Sequence, residues 1–181
     1  MLRKLVPTLY GLAFALATPA LAEVEPGLFT GTMAKMEPLE AYTPAITTFV
    51  GADGQLADLS MYHGQVVVLN FWATWCAPCR EEMPSLQALQ EAMGDRDLEV
   101  VTVAFGRHNP VAMEKFWADT GITSLPLHID PASEMARGLG VRGLPHTFIL
   151  DRDGRILAQL IGEADWDAQE TLALLEAYLE Q

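Results

Sequence analysis

The chain has 181 residues, 50% of them hydrophobic, and its 11 Lys and Arg against 24 Asp and Glu give a formal net charge of -13. This length favours a single folded domain, and the apolar content is enough for a sizeable core. Nucleic acid is a poor fit as a partner, because neutralising its phosphates requires clustered Lys and Arg. We therefore expect a soluble protein that binds no nucleic acid.

The first 22 residues have the layout of a secretory signal peptide. Arg3 and Lys4 precede an apolar segment at 5–17, and residues 20–22 (Ala-Leu-Ala) form a small-x-small cleavage site. The apolar segment is shorter than the roughly 20 residues of a membrane-spanning helix. We predict cleavage after Ala22 and export to an oxidising compartment, a bacterial periplasm. An uncleaved membrane anchor facing that compartment is the alternative.

The remaining chain divides into an extension at 23–44, expected to pack loosely or cap the fold, and a domain at 45–181. Hydrophobic periodicity and turn residues predict the elements of this domain. They are strands at 46–50, 55–59, 66–72, 98–105, 125–129, 146–150 and 155–161, and helices through 83–93, 111–120, 132–139 and 172–179. Helices alternate with strands until a terminal hairpin and helix. This order predicts an α/β fold with a mixed central sheet flanked by helices and an N-terminal β-hairpin.

Cys76 and Cys79, the only two cysteines, lie where the apolar segment at 66–72 meets the start of a helix. A disulfide between them would close a very short loop and remove little entropy from the unfolded chain, which argues against a structural role. Unpaired N–H groups and the helix dipole at a helix start favour the thiolate. This predicts Cys76 as the nucleophile and Cys79, one turn further along, as the resolving thiol.

Metal binding is the competing interpretation of the two cysteines. They supply at most two ligands, whereas a closed zinc site needs four, and the four histidines form no ligand-spaced pair. We expect neither a metal nor another cofactor. A copper site made by Cys76, Cys79 and His146 stays open, and with it the function of a copper-binding chaperone.

Two motifs together resemble the thioredoxin superfamily. They are Trp-Cys-Ala-Pro-Cys at 75–79 and Gly-Leu-Pro-His-Thr-Phe at 143–148. The segments at 69–76, 80–84 and 148–154 are similar, more closely, to the TlpA/ResA branch of exported thiol–disulfide oxidoreductases. The resemblance covers residue 46 to the carboxyl end. It implies a thioredoxin-like fold in which residues 109–129 form an inserted α/β element.

The resemblance also assigns roles near the dithiol. It implies that Leu144–Pro145 is a cis peptide facing the cysteines, that both residues dock substrate, and that Trp75 shapes the surface beside Cys76. His146 departs from the threonine common after this proline. It is expected to be a partly exposed strand residue, with an influence on the dithiol as the alternative.

Acid–base chemistry is assigned to Glu82. Asn70 stands where thioredoxin has a buried, titrating Asp, so this position carries no proton. Glu82 follows Cys79 by three residues and lies on the same helix face. ResA-like proteins carry a glutamate here that affects thiol acidity, so we predict that Glu82 handles protons. A solvated helix carboxylate is the alternative, and Trp166 is predicted to be structural.

The resemblance implies an enzyme that exchanges thiols and disulfides. The Ala-Pro between the cysteines lacks the His of strongly oxidising DsbA-type sites, which favours a reductant. Its expected clients are exported proteins with disulfides, such as apocytochrome c or copper-assembly proteins of cytochrome oxidase. Electrons are expected from a membrane thiol transporter, and the enzyme is expected to act as a monomer. The alternatives are a dithiol oxidase of DsbA-like direction, the copper chaperone, and a peroxidase, against which the Trp-Cys-x-x-Cys placement argues.

Overall fold

The computed structural model describes residues 24–181, so the predicted signal peptide lies outside the described residues. In chain order, the strands and α-helices are β1 (Glu37–Tyr42), β2 (Thr48–Val50), β3 (Leu56–Asp58), β4 (Val66–Trp72), α1 (Ala77–Met93), β5 (Leu98–Phe105), α2 (Pro110–Thr120), β6 (His128–Asp130), α3 (Glu134–Gly138), β7 (His146–Leu150), β8 (Ile156–Ile161) and α4 (Gln169–Leu179). Short 3-10 helices lie at Pro26–Leu28, Gly31–Lys35, Leu59–Tyr62 and Gly94–Arg96. Within residues 24–181, no helix combines the length and apolar character needed to cross a membrane.

One eight-stranded mixed sheet organises the domain, in the order β1-β8-β7-β4-β5-β6-β2-β3. β4 runs parallel to β5 and antiparallel to β7, and all its residues are buried. A strand buried on both faces reads as a continuous apolar run, which is how residues 66–72 read in the sequence. The predicted thioredoxin-like fold with a mixed, helix-flanked sheet is confirmed.

Two hydrophobic cores cover the two faces of the sheet. Side chains of β4 alternate between them, with Val68 in the first core and Leu69 in the second. The first core also takes its residues from α1, α2 and α4, and both cysteines belong to it. The second is covered by α3 and by the 3-10 helix that precedes β4. The helix carrying the dithiol therefore packs on one defined face of the sheet.

Most predicted elements are present. The strands at 66–72, 98–105 and 146–150 match the structure residue for residue, and β2 pairs with β3 as the predicted hairpin. The strand predicted at 125–129 is shifted to β6. Pro126 has no N–H to donate to a ladder, and its carbonyl accepts a hydrogen bond from the Thr102 hydroxyl at 3.0 Å.

The N-terminal extension is more ordered than predicted. β1, which lies inside it, pairs antiparallel with β8 and forms one edge of the sheet. Pro38 is compatible with this strand because only one side of an edge strand is hydrogen-bonded. Met33 and Met36 are buried in the first core. The extension thus contributes a strand and core residues, and is not loosely packed.

Candidate active site

The two cysteines lie at the start of α1, just beyond the end of β4. Cys76 is the N-cap of the helix, and the backbone N–H of Cys79 points at its Sγ over 3.3 Å. Pro78 is tolerated in the first turn, where no N–H is required. The cysteines form a disulfide with a Cα–Cα distance of 5.3 Å. Cys76 is 6% exposed and Cys79 is fully buried, so Cys76 is the sulfur that another molecule can reach.

Aromatic side chains support the loop that carries the dithiol. Trp72 is fully buried beneath it, with its ring centre 4.7 Å from that of Trp117 on α2. Thr74 and His108 are joined by a hydrogen bond of 3.3 Å between Oγ1 and Nδ1. This bond ties the loop after β5 to the dithiol loop. Trp75, next to Cys76 in the chain, is 71% exposed.

A second loop reaches the same end of the sheet. β7 begins at His146, which is paired with Phe71 near the end of β4, so the residues before it lie at the dithiol end. Leu144–Pro145 is a cis peptide. The Pro145 carbonyl accepts a hydrogen bond from the Gly162 amide at 2.9 Å. Leu144 is half-buried, and within residues 24–181 its backbone N–H and carbonyl have no backbone partner.

Glu82 is 3% exposed, which excludes the solvated alternative. Its Oε1 accepts a hydrogen bond from Asn70 Nδ2 at 2.8 Å. Its Oε2 accepts from the Ala164 amide and from Trp166 Nε1, each at 3.1 Å. Asn70 also donates to Thr147 on β7 at 2.9 Å. The carboxylate is therefore held by β4 and by the segment that joins β8 to α4.

Burial raises the pKa of Glu82 to about 7, although the donors on Trp166, Asn70 and Ala164 lower it. The charge of Glu163 adds to the increase. Glu82 also borders a cleft of about 320 Å³ lined by residues of α1, of the β8–α4 segment and of the 3-10 helix at Gly31–Lys35. A carboxyl group that titrates near neutral pH thus lies one helical turn beyond the buried Cys79.

Several known proteins are similar to this chain in sequence or in fold. The family model for redoxins matches residues 39–177. The chain belongs to the redoxin family. The redoxin is 32% identical over 158 residues to the thiol-disulfide oxidoreductase ResA of Bacillus thuringiensis (strain Al Hakam), covering 85% of each chain. It is 35% identical over 113 residues to the thiol:disulfide interchange protein HelX of Rhodobacter capsulatus, covering 62% of this chain and 61% of HelX.

A solved structure from Chlorobium tepidum, assigned as the thiol:disulfide interchange protein DsbE, is also similar. Its TM-score is 0.68 at 30% identity, over 78% of the redoxin and 99% of that chain. The redoxin is thus a thiol–disulfide oxidoreductase of the ResA, HelX and DsbE type, with Cys76 and Cys79 as its Cys-x-x-Cys pair. The resemblance to the TlpA/ResA branch is confirmed.

Trp166 was missed as a residue of the redoxin's site. Sequence patterns predicted a structural tryptophan, and it is fully buried, but its indole N–H donates to Glu82. The two residues are 84 positions apart, and no periodicity or motif links them. Only the folding of the β8–α4 segment against α1 brings the indole to the carboxylate.

Replacing Trp166 with phenylalanine is expected to raise the pKa of Glu82 above about 7, because a donor that lowers it is lost. An NMR titration of the Glu82 carboxyl carbon measures this directly. Trp117→Phe is the matched control. That tryptophan is also in the first core and donates its indole N–H to the Leu125 carbonyl at 2.8 Å. Equal titrations in both variants would show that the indole N–H does not act on Glu82.

His146 is not the partly exposed residue predicted, since it is 1% exposed. Its ring is stacked on Phe148 with centroids 4.4 Å apart, and Nε2 donates to Gln159 Oε1 over 3.1 Å. Alternate residues of β7 face opposite sides of the sheet, so Thr147 faces Asn70 on the side of Glu82, and His146 lies with Phe148 on the side of the second core. A copper site that joins His146 to the cysteines has no support in this geometry. Across residues 24–181, no cluster of three or more His, Cys, Asp or Glu is arranged to hold a metal ion.

Proposed function

We propose that the redoxin reduces disulfides of exported proteins in the periplasm. The observation that carries this proposal is the buried pair at the start of α1, with Cys76 as the reachable sulfur and Glu82 behind Cys79. The signal-peptide pattern at 1–22 supports the location. Resemblance to the TlpA/ResA branch supports clients in cytochrome c maturation or in copper-site and oxidase assembly.

The reaction begins from the reduced dithiol. The Cys76 thiolate attacks one sulfur of the client disulfide. That S–S bond breaks, the first client sulfur leaves as a thiolate and takes a proton, and a mixed disulfide forms on Cys76. Cys79 then attacks Cys76 Sγ and releases the second client sulfur, forming the Cys76–Cys79 disulfide seen in the structure. Two electrons pass to the client, and a membrane thiol transporter restores them.

Glu82 is the group proposed to take the proton from Cys79. A base works best when its pKa lies near the operating pH, and the pKa of about 7 meets this condition. The cleft bordered by Glu82 offers the proton an exit to solvent. Asn70 cannot titrate, but its amide orients the carboxylate.

Client docking is proposed at the loop before β7. The unpaired backbone of Leu144 would hydrogen-bond the client's backbone, in the manner of an added strand. The exposed ring of Trp75 would supply apolar contact beside Cys76, and the buried Pro145 would fix the backbone of the docking loop. These contacts hold the client disulfide in line with the attacking sulfur.

The equilibrium reduction potential of the Cys76–Cys79 pair tests the direction of electron flow. We expect a value more reducing than about -220 mV, because the Ala-Pro pair lacks the features that stabilise reduced DsbA. The potential is measured by equilibration with glutathione or dithiothreitol and quantification of the two forms. A value near the roughly -120 mV of DsbA would reverse the direction and leave a dithiol oxidase. Stoichiometric copper in the anaerobically reduced protein, without disulfide exchange, would instead support the chaperone.

A further inference from the structure

Unpaired positive charge is concentrated at one end of the redoxin. Within residues 24–181, Arg80, Arg107 and Arg142 are exposed and take part in no ion pair. Among these residues, Arg137 also forms no ion pair, but its guanidinium donates a hydrogen bond to the Ala132 carbonyl at 2.6 Å. The remaining basic residues of this part are in ion pairs: Lys35, Arg96, Lys115, Arg152 and Arg155.

Arg80 lies at the dithiol and faces α2. It follows Cys76 by four residues in the first turn of α1. Its Cζ lies 5.1 Å from the ring centre of Phe116, in a cation–π contact. This contact turns the guanidinium toward α2 and away from the cleft beside Glu82.

Arg107 and Arg142 lie on the other two loops at this end. Arg107 precedes His108, whose ring is hydrogen-bonded to Thr74 in the dithiol loop. Arg142 belongs to the same short loop as Pro145, which enters β7 opposite the end of β4. We name Arg80, Arg107 and Arg142 the arginine rim.

The opposite side of α1 is acidic. Glu81, Glu163 and Asp165 line the cleft that Glu82 borders, and its basic lining residue, Lys35, is paired with Glu163 at 3.8 Å. Charge is thus divided across the dithiol, positive toward α2 and the β7 loop and negative toward the β8–α4 segment. Two apolar side chains are exposed at this end of the protein. Trp75, next to Cys76 in the chain, is 71% exposed, and Val111, in the first turn of α2, is 69% exposed.

We infer that the arginine rim binds an acidic segment next to the client's cystine. This deepens the proposed function and rests on disulfide exchange at Cys76. Guanidinium groups bind carboxylates in bidentate geometry, and exposed charges around a reactive centre raise association rates. A net charge of -13 would by itself favour basic clients. A preference for acidic clients would therefore have to come from the rim.

Three peptides with one intramolecular disulfide, flanked by Glu, Gln or Lys, test this inference. At low salt, we expect the reduced redoxin to exchange with the Glu peptide about tenfold faster than with the Lys peptide. The double variant R107Q/R142Q should reduce that ratio to about twofold or less. Raising ionic strength toward about 1 M, where the screening length falls to about 3 Å, should do the same to the natural chain. Arg80 is left unchanged because it lies in the same helical turn as the cysteines and its guanidinium packs on Phe116.

The double variant R96Q/R152Q is the matched control. It removes the same charge, and Arg96 lies beyond the far end of the 17-residue α1, about 25 Å from the dithiol. It should retain the tenfold ratio. A faster reaction with the Lys peptide, or an equal loss of preference in both double variants, would overturn the inference. The ratio compares the exchange rates of two substrates of one enzyme, so it does not depend on the reduction potential. This test and the test of the direction of electron flow can therefore fail independently.

Discussion

Replacing Cys79 with serine is expected to leave the redoxin covalently joined to its client. Cys76 remains the accessible sulfur at the helix start and still forms the mixed disulfide. The fully buried Cys79 is the only other thiol in the chain, so nothing within the protein can resolve the bond. Turnover should fall on the order of 10⁴-fold, as when other groups of a nucleophilic unit are deleted.

Gel electrophoresis without reductant, followed by mass spectrometry, measures the trapped complex and identifies the client. Cys76→Ser is the matched control. It should lose turnover to a similar extent but trap nothing, because the remaining sulfur is buried. If Cys76→Ser trapped clients as well as Cys79→Ser, the assignment of nucleophile and resolving thiol would be reversed.

Local sequence signals were enough to place the dithiol. The apolar run at 66–72 and the two cysteines after it predict a strand that leads into a helix, and the structure has this junction. The capping of α2 is similarly local, since Asn109 accepts a hydrogen bond from the Val111 amide. Such features depend on neighbours within a few residues, which the sequence lists directly.

Features made by distant segments were not predictable in the same way. β1 is a strand because β8 offers it an edge, and residues 37–42 carry no clear alternation of their own. The side of the sheet that His146 faces depends on the register of β7 against β4. A shift of one residue would have turned it toward α1. The environment of Glu82 likewise needed Ala164 and Trp166, which lie far along the chain.

Between pH 4 and pH 8, the natural chain is expected to lose about 3 kcal/mol of stability that the Glu82→Gln variant does not lose. The pKa of Glu82 is raised from its ordinary value of 4.5 to about 7. Between these values the native state holds a proton that the unfolded state has lost. The free energy of unfolding of the natural chain therefore falls as pH rises through this window. Glutamine carries no such proton, so its contribution does not change.

The amide can occupy the same place and keep the hydrogen bonds that Ala164 and Trp166 donate. Its oxygen can accept from Ala164 and Trp166 as Oε2 does. Its NH₂ would face Asn70, whose Oδ1 is buried without a partner in the described part of the chain. Rotation of the Asn70 amide by half a turn presents that oxygen as an acceptor and moves its NH₂ to the side without a partner. The cost of that unmatched NH₂ is the same at pH 4 and pH 8, so the predicted difference between the two pH values is unchanged. Urea unfolding of the oxidised proteins at pH 4 and pH 8 measures the predicted difference.

The same variant separates catalysis from stability. If Glu82 takes the proton from Cys79, resolution of the mixed disulfide should lose its rise near pH 7 when glutamine replaces it, whatever happens to stability. Glu81→Gln is the matched control, because this neighbouring helix carboxylate is exposed. It should keep both the pH profile of exchange and the pH dependence of unfolding. A Glu82→Gln variant that changes unfolding but keeps the pH profile would make Glu82 a buried structural acid, and the proton of Cys79 would then have to leave by another group.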